Sequence, residues 1–175
     1  LFIHQDIINN FLYSIGDIKG EGKISIINYN WLVSNPNISI NQEKSEFYAD
    51  VKLEYGDLKR TDMIIGKVSI GYSQQDNIIY VQISDANIDL DISDIFTIIP
   101  KDIVNINIDV SNYFSEPFKI QAPQPKTTSY EIPVYNDSTK TKKITINNKE
   151  SKLYLVEEGI KIISVYECLS DEKNN

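Results

Sequence analysis

The chain has 175 residues, the usual size of one domain, and it is long enough to bury a hydrophobic core. Hydrophobic residues make up 41% of it and charged residues 24%, a composition that is typical of a folded protein and argues against intrinsic disorder. The net charge of −8, from 17 Lys and Arg against 25 Asp and Glu, argues against nucleic acid and anionic lipid headgroups as electrostatic partners.

The first predicted element is an amphipathic helix over residues 3–15. Its apolar residues recur at the spacing of one helical face, and its polar residues fall elsewhere. Asp6 lies in the first turn, where negative charge is favoured, and Gly16 is suited to end the last turn. The apolar face consists of Ile3, Ile7, Ile8, Phe11, Leu12 and Ile15.

An antiparallel β-meander is predicted over residues 23–92. The segment "SEFYADVKLEY" (45–55) alternates apolar and polar residues without a fault, and "SNPN" (34–37) predicts a turn. The longest candidate strand, 78–92, changes the parity of its apolar residues, which predicts a bulge at residues 84–85. Strands of this length must twist and curl.

The second half is predicted to be less regular, with strands over residues 98–167 and a polar tail over 168–175 that we expect to fray. No internal repeat or second domain is recognisable, so residues 1–175 are predicted to form one domain, with the role of 111–140 left open. The predicted elements are, in chain order, a strand at 103–110, a proline-rich loop or edge strand at 115–129, a hairpin at 141–156 that turns at 147–151, and a last strand at 159–167.

Neither the histidine nor the cysteine of the chain has a partner that is typical of catalysis or metal binding. His4 is the only histidine and Cys168 the only cysteine, which argues against a zinc site and excludes an intrachain disulfide. Asp6 is not expected to face His4 on a helix. The sequence contains no glycine-rich phosphate loop, GxSxG elbow or CxxC pair. We therefore predict that the protein is not an enzyme and has no catalytic residues, no metal site and no cofactor.

The acidic segment "DANIDLDISD" resembles the start of a calcium-binding loop. Asp85, Asn87 and Asp89 occupy the first three ligand positions. However, Leu90 stands where the loop needs glycine, and Phe96 stands where it needs a bidentate glutamate. Because the polar residues alternate with apolar ones, the segment is predicted to be the solvated face of a strand.

The sequence alone leaves the compartment open between the periplasm and the cytosol. The first residue is Leu1 and the only methionine is Met63, so we expect the natural start to be missing, through removal of a signal peptide or through truncation. A single cysteine fits the cytosol, but many periplasmic domains also lack disulfides. No apolar run approaches the ~20 residues that are needed to span a bilayer.

The order of the predicted elements resembles that of the YceB-like lipoproteins of bacterial envelopes. The resemblance covers residues 3–92, through "IHQDIINNFL", "GEGKISIINYNWLV", "SEFYADVKLEY", "GKVSIGY" and "NIIYVQISDANIDLDI". In that family a short "I-x-x-Q-x-I-N" helix precedes long strands, and Ile3, Gln5 (one place early), Ile8 and Asn9 match this pattern loosely. The likeness is one of layout, and it carries over no catalytic or ligand-binding residue.

The YceB-like proteins in turn resemble the tubular lipid-binding superfamily, also called TULIP, BPI-like or SMP-like. In that superfamily a long, curved antiparallel sheet wraps a helix and holds an acyl chain. The resemblance therefore implies a lipid ligand, a periplasmic or envelope-associated protein, and peripheral membrane association through an N-terminal anchor. A cytoplasmic protein stays the alternative. After residue 92 the chain departs from the family, because a strand at 103–110 stands where the YceB-like proteins have a long second helix.

We therefore expect an α+β fold in which the N-terminal amphipathic helix packs against a long, highly curved antiparallel sheet. A sheet wider than its helix leaves a groove that either side chains or an apolar ligand must fill. The predicted function is non-enzymatic binding of a lipid or another apolar ligand in this groove. The alternative is a structural or assembly protein that binds a protein partner through a sheet edge or an exposed aromatic face. The predicted lining of the groove is Ile7, Phe11, Leu12, Ile15, Val51, Leu53, Val68 and Ile70.

Overall fold

The computed structural model describes residues 1–24, 27–91, 105–122, 127–135 and 137–174. The helices in these ranges are α1 (Gln5–Ile15) and a 3-10 helix (Ser111–Phe114). The strands are β1 (Phe2–His4), β2 (Ile18–Ile24), β3 (Ile27–Ile40), β4 (Ser45–Tyr55), β5 (Leu58–Ser73), β6 (Ile78–Asp91), β7 (Asn105–Asp109), β8 (Phe118–Gln121), β9 (Thr128–Val134), β10 (Asp137–Val156) and β11 (Gly159–Asn174). Three of the predicted features lie outside the described residues. They are the end of the meander at residue 92, the side chain of Phe96, and the start of the less regular region at 98–104.

The larger sheet is antiparallel and follows the order β2-β3-β4-β5-β6, with β7 and β8 both pairing with the far edge of β6. β7 pairs with residues 87–91 of β6, and β8 pairs with residues 78–81. The sheet curls into a half-barrel, which confirms the predicted curvature. Alternate residues of each strand point to one side of the sheet, and on the inner side Phe47, Ile64 and Ile83 are fully buried.

A bulge keeps the apolar residues of β6 on the buried side. β6 shifts its register against β5, and at the shift Asp85 takes a positive φ of 53°. This confirms the bulge that was predicted at residues 84–85. Ile83 before the bulge and Ala86 after it are both buried, although an unbroken strand would point them to opposite sides.

The turns predicted at residues 34–37 and 147–151 are wrong, because both segments are irregularities inside long strands. β3 continues through the first segment with a register shift, and Asn35 there has a φ of 53°. β10 continues through the second, with a register shift between Asn148 and Glu150. For the first segment the reason is that asparagine tolerates a positive φ in a bulge as well as in a turn, so both structures have the same sequence signal.

The fold is mostly β, so the predicted α+β class is wrong. α1 has 11 residues, whereas β10 alone has 20. The helix also begins later than predicted, because Phe2–His4 form β1 and pair with β11. Residues 168–174, which were predicted to fray, instead continue β11, because they pair with residues 140–146 of β10.

The smaller sheet follows the order β1-β11-β10-β9 and is also antiparallel. It meets the larger sheet at the turn between β10 and β11, where the N–H of Glu158 donates a hydrogen bond to the carbonyl oxygen of Ile40 at 3.0 Å. Ile160 and Ile162 of β11 belong to the same buried cluster as the inner side of the larger sheet. The two sheets therefore share one hydrophobic core.

Candidate functional site

α1 lies along the edge of β3, where side-chain amides take the place of a neighbouring strand. The Nδ2 of Asn9 donates to the carbonyl oxygen of Ile38 at 3.0 Å, and the Oδ1 of Asn9 accepts from the N–H of Ile38 at 2.7 Å. The Oε1 of Gln5 accepts from the N–H of Ile40 at 2.8 Å. β2 pairs with β3 only as far as Val33. The helix therefore covers the part of the β3 edge that β2 leaves open.

His4 caps the N-terminus of α1. Its Nδ1 accepts a hydrogen bond from the backbone N–H of Asp6 at 3.3 Å, and the carboxylate of Asp6 lies 3.1 Å from the same nitrogen. The prediction that Asp6 does not face His4 is wrong, because His4 has extended backbone angles and precedes the helix. Gly16, with a φ of 76°, ends the helix as predicted.

α1 divides its apolar residues between the core and the surface. Ile8 and Leu12 are fully buried. Ile7, Phe11 and Ile15 remain 55%, 51% and 42% exposed. Residues that are four positions apart lie on the same side of a helix, so these three side chains form a continuous apolar stripe at the surface.

The exposed stripe meets the larger sheet at Phe118 of β8. The rings of Phe11 and Phe118 make an edge-to-face contact, with their centroids 4.9 Å apart. The centroid of Phe114 lies 6.2 Å from that of Phe118 and 5.2 Å from that of Phe47, and both Phe114 and Phe47 are fully buried. A line of aromatic rings therefore runs from the surface to the core. We call the surface formed by Ile7, Phe11, Ile15 and Phe118 the α1–β8 seam.

The other side chains predicted to line the groove lie in two environments. Val51 and Leu53 of β4 are buried in the core, as is Leu12 of α1. Val68 and Ile70 of β5 are half-buried and pack against the same core. The three buried side chains are enclosed by protein, whereas the exposed stripe of α1 and the half-buried Val68 and Ile70 keep accessible surface.

Sequence reasoning missed Phe118, because the segment 115–129 is rich in proline and was predicted as a loop or an edge strand. β8 is indeed an edge strand, but it has only four residues. The alternation of Phe118, Ile120 and Ala122 could have indicated that this short strand turns one side towards the core. Ala122 is buried, and the other two residues pack against the core.

Among the described residues, two clefts are lined by side chains other than those of the seam. The larger, of about 570 Å³, is lined by Lys19, Gly20, Glu21, Asn30, Trp31, Leu32, Lys52 and Glu54. Within it the Nζ of Lys52 lies 2.8 Å from the carboxylate of Glu54, and this hydrogen bond holds the pKa of the Glu54 carboxyl below its ordinary value. The smaller cleft, of about 310 Å³, is lined by Tyr13, Gly16, Asp17, Asn35 and Pro36.

In the part of the chain that the structure describes, no group of three His, Cys, Asp or Glu side chains could hold a metal ion. In the acidic segment, Asp85 pairs with Lys67 at 2.7 Å, and Asn107 donates to Asp89 at 2.7 Å. These side chains lie on the exposed side of β6 and β7, which confirms the prediction of a solvated strand face. No helix among the described residues is long and apolar enough to cross a membrane.

Comparison of the chain with protein-family models, with curated proteins and with solved structures finds no match. The class of protein is therefore defined by its own fold, a mostly-β half-barrel of antiparallel strands with a helix along one edge. Such a curled sheet is compatible with a binding protein. The resemblance of residues 3–92 to YceB-like lipoproteins stays a prediction.

Proposed function

We propose that this protein is a non-enzymatic binding protein that holds a lipid or another apolar ligand along the α1–β8 seam. The observation that supports the proposal is the half-exposed apolar stripe of Ile7, Phe11 and Ile15 beside Phe118. Isolated apolar side chains are common on protein surfaces, but a contiguous stripe of them is typical of a surface that binds an apolar partner.

The contacts of α1 would allow the helix to separate from β8 while it stays bound to β3. On the β3 side, Asn9 and Gln5 bind the backbone through three hydrogen bonds. On the β8 side, the described contact is the apolar one between Phe11 and Phe118. Widening the seam would therefore break apolar contacts, and an acyl chain could replace them. Burial of each methylene contributes about 0.8 kcal/mol, and part of this is offset by the ordering of the chain.

We also propose that the protein is located in the cell envelope. The support for this location is the resemblance of residues 3–92 to the YceB-like lipoproteins in the order of their elements. A protein at a membrane surface could transport an acyl chain bound in the seam. It could also associate peripherally with the membrane through that chain. The proposal concerns apolar chains and not charged headgroups, because the net charge of −8 disfavours electrostatic docking onto anionic lipid.

The first test is to purify the protein without detergent, extract it under denaturing conditions and analyse the extract by mass spectrometry. We expect a co-purified lipid at near-stoichiometric amount, or saturable binding of a fluorescent fatty acid by the purified protein. If no lipid is recovered and the fluorescent fatty acid does not bind, the proposal is wrong.

A matched pair of variants places the binding at the seam. Phe11 and Phe2 are exposed to the same extent, at 51% and 52%, but only Phe11 contacts Phe118. We expect Phe11→Gln to weaken binding of the fluorescent fatty acid by about tenfold, since it removes apolar area from the seam. Phe2→Gln should leave binding unchanged. Equal effects of the two substitutions would show that the ligand does not bind at the seam.

Assembly with a protein partner is the second candidate function. It is favoured by the aromatic residues that the smaller sheet exposes, among them Tyr130, Tyr154 and Tyr166. Tyrosine is enriched at protein interfaces because its ring is apolar and its hydroxyl can still bind water or a partner. Recovery of a stoichiometric protein partner, together with failure of the seam to bind a fatty acid, would favour this function over the first.

A further inference from the structure

The larger of the two clefts lies on one side of the sheet formed by β2, β3 and β4. Its volume is about 570 Å³, which lies in the usual range for small-molecule sites. Strand pairing arranges its side chains in two rows that run across the three strands. The first row is Lys19, Leu32 and Lys52, and the second row is Glu21, Asn30 and Glu54. We call this site the charged cleft, because the first row has a lysine at each end and the second has a glutamate at each end.

The backbone forms the floor of the charged cleft between the two rows. Gly20 and Trp31 also line the cleft, although they alternate with the residues of the rows and therefore point to the other side of the sheet. The ring of Trp31 occupies the position that a Cβ would take at Gly20, so the ring does lie on that other side. The walls are therefore long charged side chains, and they enclose a floor of backbone and the half-buried Leu32.

The two walls of the charged cleft differ in whether their charges are paired. On β4, the Nζ of Lys52 lies 2.8 Å from the carboxylate of Glu54, and the Nζ of Lys59 lies 3.5 Å from the same carboxylate. On β2, Lys19 and Glu21 have the same spacing in sequence and are both exposed. Neither of these two side chains forms an ion pair or a hydrogen bond with another described residue. The β2 wall therefore offers a ligand one ammonium group and one carboxylate that the fold does not use.

The positions of Lys19 and Glu21 indicate the charges and the length of the ligand. Residues two positions apart in a strand are separated by about 6.8 Å. A molecule with an anionic group at Lys19 and a cationic group at Glu21 would form two charge-assisted hydrogen bonds. A dianion would place a negative charge beside Glu21, and a dication would place a positive charge beside Lys19. Asn30, in the row of Glu21, adds an amide oxygen that can accept from a ligand ammonium group, and Leu32 adds an apolar contact for methylene groups.

We propose that the charged cleft binds a small zwitterion, an ω-amino acid or a molecule that contains one, whose ammonium and carboxylate groups are about 6.8 Å apart. The carboxylate binds the ammonium group of Lys19. The ammonium group of the ligand binds the carboxylate of Glu21 and the amide oxygen of Asn30, and its methylene groups lie over Leu32. This inference goes beyond the proposed apolar ligand and is independent of it, because the cleft and the α1–β8 seam share no residue.

The probe is 5-aminopentanoate, whose charged groups reach this separation when its chain is extended. Three control molecules each lack one property of the probe. Pentanoate lacks the cation, pentylamine lacks the anion, and glycine has both charges at a shorter separation. In NMR titrations of the intact protein we expect the probe to cause saturable shifts of the backbone amides of Gly20 and Trp31, and to bind more weakly at high salt. Each control should bind at least about tenfold more weakly, since it loses one charged hydrogen bond.

Substitutions on β2 test the charged cleft from the protein side. We expect Lys19→Gln to weaken binding of 5-aminopentanoate by at least about tenfold. Lys23→Gln is the matched control and should leave binding unchanged, because Lys23 is exposed on the same side of the same strand but does not line the cleft. Lys19→Glu should reverse the preference, so that pentane-1,5-diamine binds better than 5-aminopentanoate. The amide spectrum of each variant checks that the fold is retained.

Two results would overturn the inference. If 5-aminopentanoate binds no better than pentanoate, pentylamine or glycine, the cleft does not recognise two charges at this separation. If Lys19→Gln and Lys23→Gln weaken binding equally, the probe responds to the charge of the whole strand and not to the cleft. Binding of a fatty acid at the seam is measured separately, so neither result bears on the proposed apolar ligand.

Discussion

Gly159 allows β1 to lie directly against β11. A Cβ at this position would contact the backbone carbonyl oxygen of Ile3 and the ring of Phe2, and a backbone atom cannot move aside without displacing β1. We expect Gly159→Ala to lower the free energy of unfolding by about 1–3 kcal/mol. Gly71→Ala is the matched control, because a Cβ at Gly71 has open space around it. Urea denaturation of both variants measures the difference, and equal stabilities would contradict this explanation.

The pKa of Glu54 depends on two neighbouring lysines, Lys52 and Lys59. Its pKa is lowered first by the hydrogen bond from Lys52 and then by the charges of Lys52 and Lys59. A lowered pKa means that the ionised form is favoured in the folded state, so this small contribution to stability is present above the ordinary pKa of Glu and is lost as the pH falls through the lowered value. We expect Lys52→Met to raise the pKa of Glu54 more than Lys59→Met does. Carboxyl NMR titration measures both, and a larger effect of Lys59→Met would show that the order of the two causes is wrong.

At the scale of the element, Asn9 makes two of the three side-chain hydrogen bonds that attach α1 to β3. Asn9 satisfies both backbone groups of Ile38, so Asn9→Ala leaves a donor and an acceptor of β3 without their partner. We expect a loss of about 1–3 kcal/mol in the free energy of unfolding. Asn10→Ala is the control, since Asn10 is the next residue and is exposed. Because alanine favours helices, the control should be neutral or slightly more stable, and an equal loss in both variants would contradict the role given to Asn9.

Sequence patterns correctly predicted the elements that are determined by their own residues. Strict alternation found β4, and the change of parity found the bulge of β6 at Asp85. β1 and the end of β11 were missed because each is stabilised by pairing with a distant segment, and their own sequences are short or polar. The candidate site was predicted only in part, because one side of it is local in sequence and the other side is distant. The stripe of α1 follows from helical spacing, but its neighbour Phe118 is more than one hundred residues away in the chain.

At the scale of the whole molecule, the described residues join the two sheets at several places, one of which is the hydrogen bond that the N–H of Ser151 in β10 donates to the Oε1 of Gln74 between β5 and β6, at 3.1 Å. β1 and α1 are consecutive in the chain, yet β1 pairs with β11 while α1 binds β3. The turn between β10 and β11 donates a hydrogen bond from Glu158 to Ile40. Ile160 adds a side chain to the shared core. A molecule that is held together in this way should unfold in one cooperative step, since separation of the sheets would expose the core between them.

Substitution of Ile160 tests this cooperativity. Ile160 is fully buried, so we expect Ile160→Ala to lower the free energy of unfolding by about 2–5 kcal/mol, whereas Ile163→Ala, at a half-exposed position of the same strand, should change it little. Trp31, the only tryptophan, reports on the larger sheet by fluorescence, and hydrogen exchange at β11 reports on the smaller one. If the sheets unfold together, Ile160→Ala shifts both signals by the same free energy. A shift confined to β11 would mean that the smaller sheet opens on its own, and that the contacts at Glu158 and Ile160 are too weak to couple the sheets.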